Sequence, residues 1–95
     1  MSAFLEITLD IQPEKRSAAA AVYSKYRQAF LDRIKGAQSK QLLVRDEDVQ
    51  VLHGFDTAEN ASAYLTSGLF QKDVVTELKP LLAKEPQVRI YKVAG

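Results

Sequence analysis

The sequence predicts an α+β domain in which four short strands form an antiparallel sheet and helices cover one of its faces. Three features support this prediction: segments in which apolar and polar residues alternate, two longer segments with apolar residues three or four apart, and turn-forming residues between them. The predicted order is strand, helix, strand, strand, helix pair, strand. A chain of 95 residues fits one domain, residues 1–95, and leaves no room for a second.

The first strand is predicted from Phe4 to Ile11, where apolar and polar residues alternate with the period of two of a half-buried strand. A long helix is predicted from Pro13 to about Ile34, because proline suits a first helical turn and apolar residues then recur at three- and four-residue steps. Gly36 suits the left-handed conformation that ends many helices.

Two further strands are predicted from Lys40 to Arg45 and from Val49 to Phe55, joined by an acidic turn at residues 46–48. One face of the second of these strands carries Val49, Val51, His53 and Phe55. Asp56 and Glu59 have the spacing of a capping box, which predicts a short helix that begins there and ends near Leu65.

A further helix is predicted from about Leu69 to Ala83, with Pro80 loosening its last turn, and a final strand from Val88 to Val93. The apolar stripe that this helix should bury consists of Phe70, Val74, Leu78, Leu81 and Leu82. Together the elements give the ferredoxin-like βαββαβ order, with a four-stranded antiparallel sheet and helices on one face.

The composition argues against several functional classes. The chain has 13 basic and 12 acidic residues and no stretch that concentrates basic residues, so it lacks the basic stripe typical of nucleic-acid binding. It has no cysteine and one histidine, which leaves no disulfide, no thiolate and no metal-ligand constellation. No segment has the pattern of a signal peptide or of a membrane span, so we expect a cytoplasmic protein without membrane contact.

The sheet face opposite the helices mixes apolar and polar residues, which predicts that a second copy of the chain covers it. On the two central strands this face would carry Phe4, Glu6, Thr8, Gln50 and Leu52. We expect its acidic groups to meet basic residues such as Lys40, Arg45 or Arg89 there. A homodimer with twofold symmetry would bury the face. The alternative is a monomer with one solvated face.

Several segments have a distinctive order and spacing: V-L-H-G-F-D at 51–56, T-A-E-N-A at 57–61, Y-L-T-S-G-L-F at 64–70, L-K-P-L-L at 78–82 and P-Q-V-R-I-Y-K-V at 86–93. In these segments, and over nearly the whole chain, the sequence resembles the antibiotic biosynthesis monooxygenase (ABM) family of dimeric α+β barrels. The resemblance implies a homodimer that oxygenates a small aromatic or polyketide-like substrate without a cofactor. The superfamily also holds isomerases, haem-degrading enzymes and members of unknown role, so fold alone does not fix the chemistry.

The resemblance also implies a pocket between helices and sheet and the residues that line it. The floor would consist of Ile7, Val51, His53 and Phe55. The candidate wall residues are Tyr23, Tyr64, Phe70, Val74 and Leu78.

The sequence departs from the family at several of these positions. Tyr64 stands where many members carry a histidine. The haem-degrading branch uses a histidine and an asparagine at the positions that match Val74 and Ile7, and it needs a tryptophan, which this chain lacks. Haem degradation is therefore not expected.

His53 is the candidate catalytic residue, because a histidine can remove a proton from a bound phenol or enol near neutral pH. The alternative is a strand histidine that hydrogen-bonds to backbone or water, since no neighbouring residue marks a catalytic pair. Tyr64 is likewise either a polar contact for substrate or a core residue with a polar tip.

Two functions therefore remain open from the sequence. One is a cofactor-independent monooxygenase, and the other is a non-catalytic dimeric domain that binds a small molecule or serves a stress response. An enzyme should have a cavity of roughly 300 Å³ or more beside His53 and Phe55. A cavity filled by the protein's own side chains would favour the second function.

Overall fold

The computed structural model describes residues 2–95. Its strands are β1 (Ala3–Leu9), β2 (Ala37–Val44), β3 (Val49–Phe55) and β4 (Gln87–Lys92). A 3₁₀ turn (Pro13–Lys15) leads into helix α1 (Arg16–Arg33), and helix α2 (Ala58–Tyr64) follows β3. The C-terminal helical segment, residues 69–81, combines a π-helix (Leu69–Val74), helix α3 (Val75–Leu78) and a 3₁₀ turn (Lys79–Leu81).

The strands form an antiparallel sheet in the order β2-β3-β1-β4, so that β1 and β3 are central, as predicted. His53 lies on the central strand β3 and has a directly paired residue on each of the two neighbouring strands. It pairs with Leu5 on β1 and with Lys40 on β2. Because directly paired residues point to the same face, all three side chains lie on the inner face, which the helices cover. The ferredoxin-like fold with helices on one face is confirmed.

An aromatic cluster joins the helices to the inner face. Phe30 of α1 is completely buried and lies edge-on to three rings, at centroid distances of 5.2 Å from His53, 5.5 Å from Phe55 and 5.0 Å from Tyr64. Such T-shaped contacts contribute stabilisation beyond the area that the rings bury. These contacts hold the C-terminal end of β3, which carries His53 and Phe55, against helix α1.

Several boundaries differ from the sequence prediction. β1 ends at Leu9 and not at Ile11, although Ile11 stays buried. β2 begins three residues before Lys40, because Gly36 adopts φ +80° and turns the chain directly into pairing between Ala37 and Phe55.

The predicted capping box at Asp56 is wrong by one residue. Thr57 is the N-cap of α2, and its hydroxyl oxygen accepts a hydrogen bond from the Asn60 amide at 3.1 Å. The Asp56 carboxylate instead accepts from the Asn60 side-chain amide at 2.8 Å. Threonine and aspartate are both common N-cap residues, and here the Thr57 side chain is the one that reaches the backbone amide of Asn60.

The predicted last helix is neither regular nor deeply buried. It begins as a π-helix and ends in a 3₁₀ turn around Pro80, which has no amide hydrogen to continue an α-helix. Of its predicted apolar stripe only Val74 is buried, and Phe70, Leu78, Leu81 and Leu82 are half-buried. No helix within residues 2–95 is long and apolar enough to cross a membrane.

Candidate functional site

A cavity of about 60 Å³ lies between the inner face of the sheet, α1 and the C-terminal helical segment. Of the residues predicted to form the site, those that line it are Ile7, Tyr23, Val51, His53, Phe70, Val74 and Leu78. Five lining residues were not predicted as site residues: Leu9, Lys40, Val75, Leu82 and Pro86. The volume falls well short of the roughly 300 Å³ expected for an enzyme pocket.

The strand register explains why the floor residues converge. Ile7 pairs directly with Val51, so both side chains project from neighbouring strands toward the helices. His53 lies two residues beyond Val51 on β3 and therefore shares this face. Val74 and Leu78, four residues apart, project from one side of the C-terminal helical segment to form the opposite wall.

Phe55 and Tyr64 do not line this cavity; the structure places them in the aromatic cluster around Phe30. Tyr64 is 1% exposed, and its hydroxyl has no hydrogen-bond partner among residues 2–95. Burial raises the pKa of this phenol above its usual range. In this conformation Tyr64 is a core residue, and the Phe70 ring packs against it at a centroid distance of 5.0 Å.

His53 is 2% exposed and is held by β1, with its Nδ1 lying 3.1 Å from the Leu5 carbonyl oxygen. This geometry fits the neutral tautomer in which Nδ1 donates a hydrogen bond and Nε2 is free to accept one. Burial, followed by the charge of Lys40, lowers the pKa of His53 to about 3. The imidazole is therefore neutral at physiological pH.

Lys40 is the charged residue of the cavity wall, and it is only 3% exposed. Its Nζ lies 5.2 Å from the centre of the Phe30 ring and 5.7 Å from that of Tyr23, distances typical of cation–π contacts. Burial, with a smaller contribution from Arg27, lowers its pKa to about 8. Within residues 2–95, this ammonium group forms no ion pair.

Two side chains of helix α1 hydrogen-bond to the Lys40 backbone. The Tyr23 hydroxyl donates a hydrogen bond of 2.7 Å to the Lys40 carbonyl oxygen, and the Arg27 Nε donates one of 3.2 Å to the same atom. The Tyr23 hydroxyl thus has a structural partner already.

The sequence analysis expected Lys40 at the dimer interface, but its pairing with His53 places it on the opposite face. The available signal was that Lys40 is in phase with the apolar Leu42 along β2.

The cavity adjoins a wider surface groove of about 650 Å³. The two share the lining residues Val75, Leu82 and Pro86. In the part of the chain that the structure describes, no group of three or more histidine, cysteine or acidic residues is placed to hold a metal ion.

Fold and site together define a ferredoxin-like α+β domain with a small apolar cavity that contains a neutral histidine and a buried lysine. No family model matches the sequence, and no curated protein matches it either. Among solved structures, a candidate antibiotic biosynthesis monooxygenase from Caulobacter crescentus has a TM-score of 0.83 and 16% identity, over 99% of this chain and 91% of that one.

Two further structures show the same similarity. A candidate antibiotic biosynthesis monooxygenase from Bordetella bronchiseptica has a TM-score of 0.83 at 19% identity, covering 99% of each chain. A conserved protein from Methanosarcina mazei has a TM-score of 0.82 at 17% identity, covering 97% of this chain and 92% of that one. The resemblance to ABM proteins is thus confirmed at the level of the fold. Identities this low carry no substrate or residue role across.

Proposed function

We propose that this chain is a cofactor-independent monooxygenase that acts, as a homodimer, on a small hydrophobic phenol or enol. The supporting observation is an apolar cavity lined by neutral His53, whose Nδ1 is held by the Leu5 carbonyl oxygen, in a fold shared with proteins named as monooxygenases. An apolar cavity with a few convergent polar groups is the usual form of a small-molecule site.

In the proposed reaction, the Nε2 atom of His53 removes the phenol or enol proton. The substrate anion is then electron-rich enough to reduce molecular oxygen itself. In the net reaction, a CH₂ group of the substrate's keto form becomes C=O, and the second oxygen atom leaves as water. A free histidine with a pKa of about 3 is a weak base at pH 7. The anion that forms beside the imidazolium would raise this pKa in the complex, because opposite charges favour each other's ionised forms.

Substrate entry requires the cavity to widen, because a ring-sized molecule exceeds about 60 Å³. The half-buried side chains of Phe70, Leu78 and Leu82 stand between the cavity and solvent. Phe70 lies in the π-helix, whose hydrogen-bond geometry is less regular than that of an α-helix. Displacement of this wall toward the groove is the opening with the least effect on the sheet.

The test is oxygen uptake by the purified protein with 1,4-dihydroxynaphthalene and with anthrone, in buffer that contains a metal chelator. We expect oxygen consumption that matches substrate loss, and a reduction in kcat of about 100-fold or more in His53→Gln. The matched control is Lys35→Met, which replaces an exposed residue and should leave the rate unchanged. Uptake no faster than the uncatalysed reaction with both substrates would contradict the proposal.

The second candidate function is a non-catalytic dimeric domain that binds a small molecule. The small cavity volume and the low pKa of His53 favour it. It predicts saturable ligand binding with no oxygen consumption, and binding that His53→Gln leaves largely intact.

A further inference from the structure

We propose that the cavity binds a small hydrophobic anion, a carboxylate or a phenolate on an apolar body, and that the Lys40 ammonium supplies the opposite charge. This would define the substrate class of the proposed monooxygenase, and to that extent it rests on the proposed function. Binding itself requires no turnover, so the two can fail separately.

The first support is the absence of a negative charge around Lys40 within residues 2–95. From α1, the groups nearest to it are the rings of Tyr23 and Phe30 and the cation of Arg27. From β3 it meets His53, which is neutral. No carboxylate within residues 2–95 lies within 4.0 Å of its Nζ.

The second support is energetic. A largely buried ammonium loses much of its hydration, and cation–π contacts with Phe30 and Tyr23 return only part of that free energy. The positive charge of Arg27 adds repulsion. A monovalent anion in the cavity would restore a hydrogen bond and neutralise the charge together, and charge-assisted hydrogen bonds are the strongest that side chains make.

The third support is the shape of the remaining wall. Opposite and beside Lys40 the cavity presents the apolar side chains of Ile7, Val51, Val74 and Leu78. These surfaces suit the apolar body of a ligand, and they offer no second site for a charge. The charged group of the ligand is therefore directed to Lys40, the charged residue of the lining.

A purely structural lysine is the competing explanation, in which the ammonium serves only to cap the Phe30 and Tyr23 rings. The two explanations differ in what they predict for neutral ligands. If Lys40 is structural, a neutral molecule should bind at least as well as the anion of the same shape. If Lys40 is the anion-binding group, the anion should bind more tightly by about tenfold or more.

The proposal also fixes the direction of the pH dependence. Lys40 is charged below its pKa of about 8, and the groups that face it, Tyr23, Arg27 and His53, include no carboxylate that would offset its titration. Binding of a carboxylate that stays ionised should therefore be constant below about pH 7 and should weaken as the pH rises through about 8.

The experiment uses two anion–neutral pairs at pH 7 with the intact chain: benzoate against benzamide, and 4-nitrophenol against nitrobenzene. Calorimetry gives the dissociation constants, and the visible band of 4-nitrophenolate reports the ionisation state of the bound phenol. We expect each anion to bind about tenfold or more tightly than its neutral partner. The bound nitrophenol should be more ionised than the free one.

Lys40→Met keeps the length of the side chain and removes its charge, and the exposed Lys35→Met is the matched control. Lys40→Met should bind the anions about tenfold or more weakly and should bind the neutral partners as the wild type does, whereas Lys35→Met should resemble the wild type with all probes.

Equal binding of anion and neutral partner by the wild type would overturn the proposal even if Lys40→Met did not fold. So would no binding of any of the four probes, or unchanged anion binding in a folded Lys40→Met. Anion binding without oxygen uptake would sustain it and reject the monooxygenase alone.

Discussion

His53 and Lys40 face each other across neighbouring strands, and burial disfavours the charged form of both. Each also makes the charging of the other harder, because a proton on His53 would lie beside the lysine ammonium. The cavity floor therefore tolerates one positive charge, and Lys40 carries it below pH 8. A bound anion would favour the charged forms of both Lys40 and His53 and so would raise both pKa values.

His53 should make the protein sensitive to acid. Its pKa falls from 6.5 to about 3 on folding, so between these values the unfolded chain binds more protons than the folded one. The contribution of His53 to the free energy of unfolding is fully present above pH 6.5 and is lost as the pH falls toward 3. Between pH 7 and pH 4 this loss should be about 3 kcal/mol.

Urea unfolding of wild type and His53→Gln at pH 7 and pH 4 measures this contribution. Carboxylates titrate in both proteins, so the difference between their pH dependences isolates His53. We expect a smaller loss of unfolding free energy in His53→Gln. An identical loss in the two proteins would show that the histidine is already protonated, or hydrated, in the native state.

The Tyr64 hydroxyl is buried without a hydrogen-bond partner in residues 2–95, and a buried polar group in this state costs free energy. Tyr64→Phe should therefore stabilise the protein by about 1 kcal/mol. Tyr23→Phe is the contrasting variant, because the Tyr23 hydroxyl donates to the Lys40 carbonyl oxygen at 2.7 Å. It should destabilise by a similar amount. Thermal and urea unfolding measure both, and destabilisation by Tyr64→Phe would reveal a partner for that hydroxyl.

At the scale of elements, Arg16 connects the start of α1 to two other parts of the fold. Its guanidinium donates to the carbonyl oxygens of Ile11 at 3.1 Å, Arg45 at 2.6 Å and Asp46 at 2.8 Å. It thereby ties the segment after β1 to the turn between β2 and β3. Since Lys40 lies on β2, this contact also helps to hold the cavity wall in register.

Arg16→Met should destabilise the protein by about 1–3 kcal/mol, because three carbonyl groups lose a charged donor. The matched control is Arg33→Met at the other end of α1, where the residue is exposed and the change should stay within about 0.5 kcal/mol. Urea midpoints of the two variants give the comparison. Equal midpoints would mean that water replaces the Arg16 contacts without loss.

At the scale of the whole molecule, the outer face of the sheet carries apolar side chains that are exposed to solvent. It exposes Phe4, Leu43 and Tyr91 to 36%, 43% and 53% respectively, next to polar residues such as Gln50 and Thr8, which bond to each other at 3.2 Å. Apolar side chains on one face of a sheet favour a second copy of the chain over water. A partner on this side would also stiffen β1 and β3 beneath the cavity.

Light scattering at micromolar concentration should therefore give about twice the monomer mass of 10.6 kDa. Phe4→Arg, on the outer face of the central strand β1, should shift the protein toward monomer, because pairing would bury the new charge. Val88→Arg replaces a residue of similar exposure on the edge strand with the opposite orientation, and it should remain dimeric. A monomeric wild type would remove the homodimer from the proposal.

The sequence by itself determined the order of the elements, the central position of β1 and β3, and the inner face of Leu5, Ile7, Val51 and His53. The elements and their buried faces follow from periods of two and near 3.6, which are local properties of the chain. The central position of β1 and β3 follows from the ferredoxin-like order of the elements. The sequence also predicted that Gly36 would take the left-handed conformation after α1, since a positive φ favours glycine.

Only the tertiary structure decided that Lys40 lies inside, that Tyr64 packs behind the cavity, and that the cavity measures about 60 Å³. Alternation puts Lys40 on the same face of β2 as Leu42, but the register of β2 against β3 decides that this face points to the helices. Cavity volume and the pKa values of His53 and Lys40 depend on how side chains from distant segments fill the same space. These are properties of packing, and local patterning does not contain them.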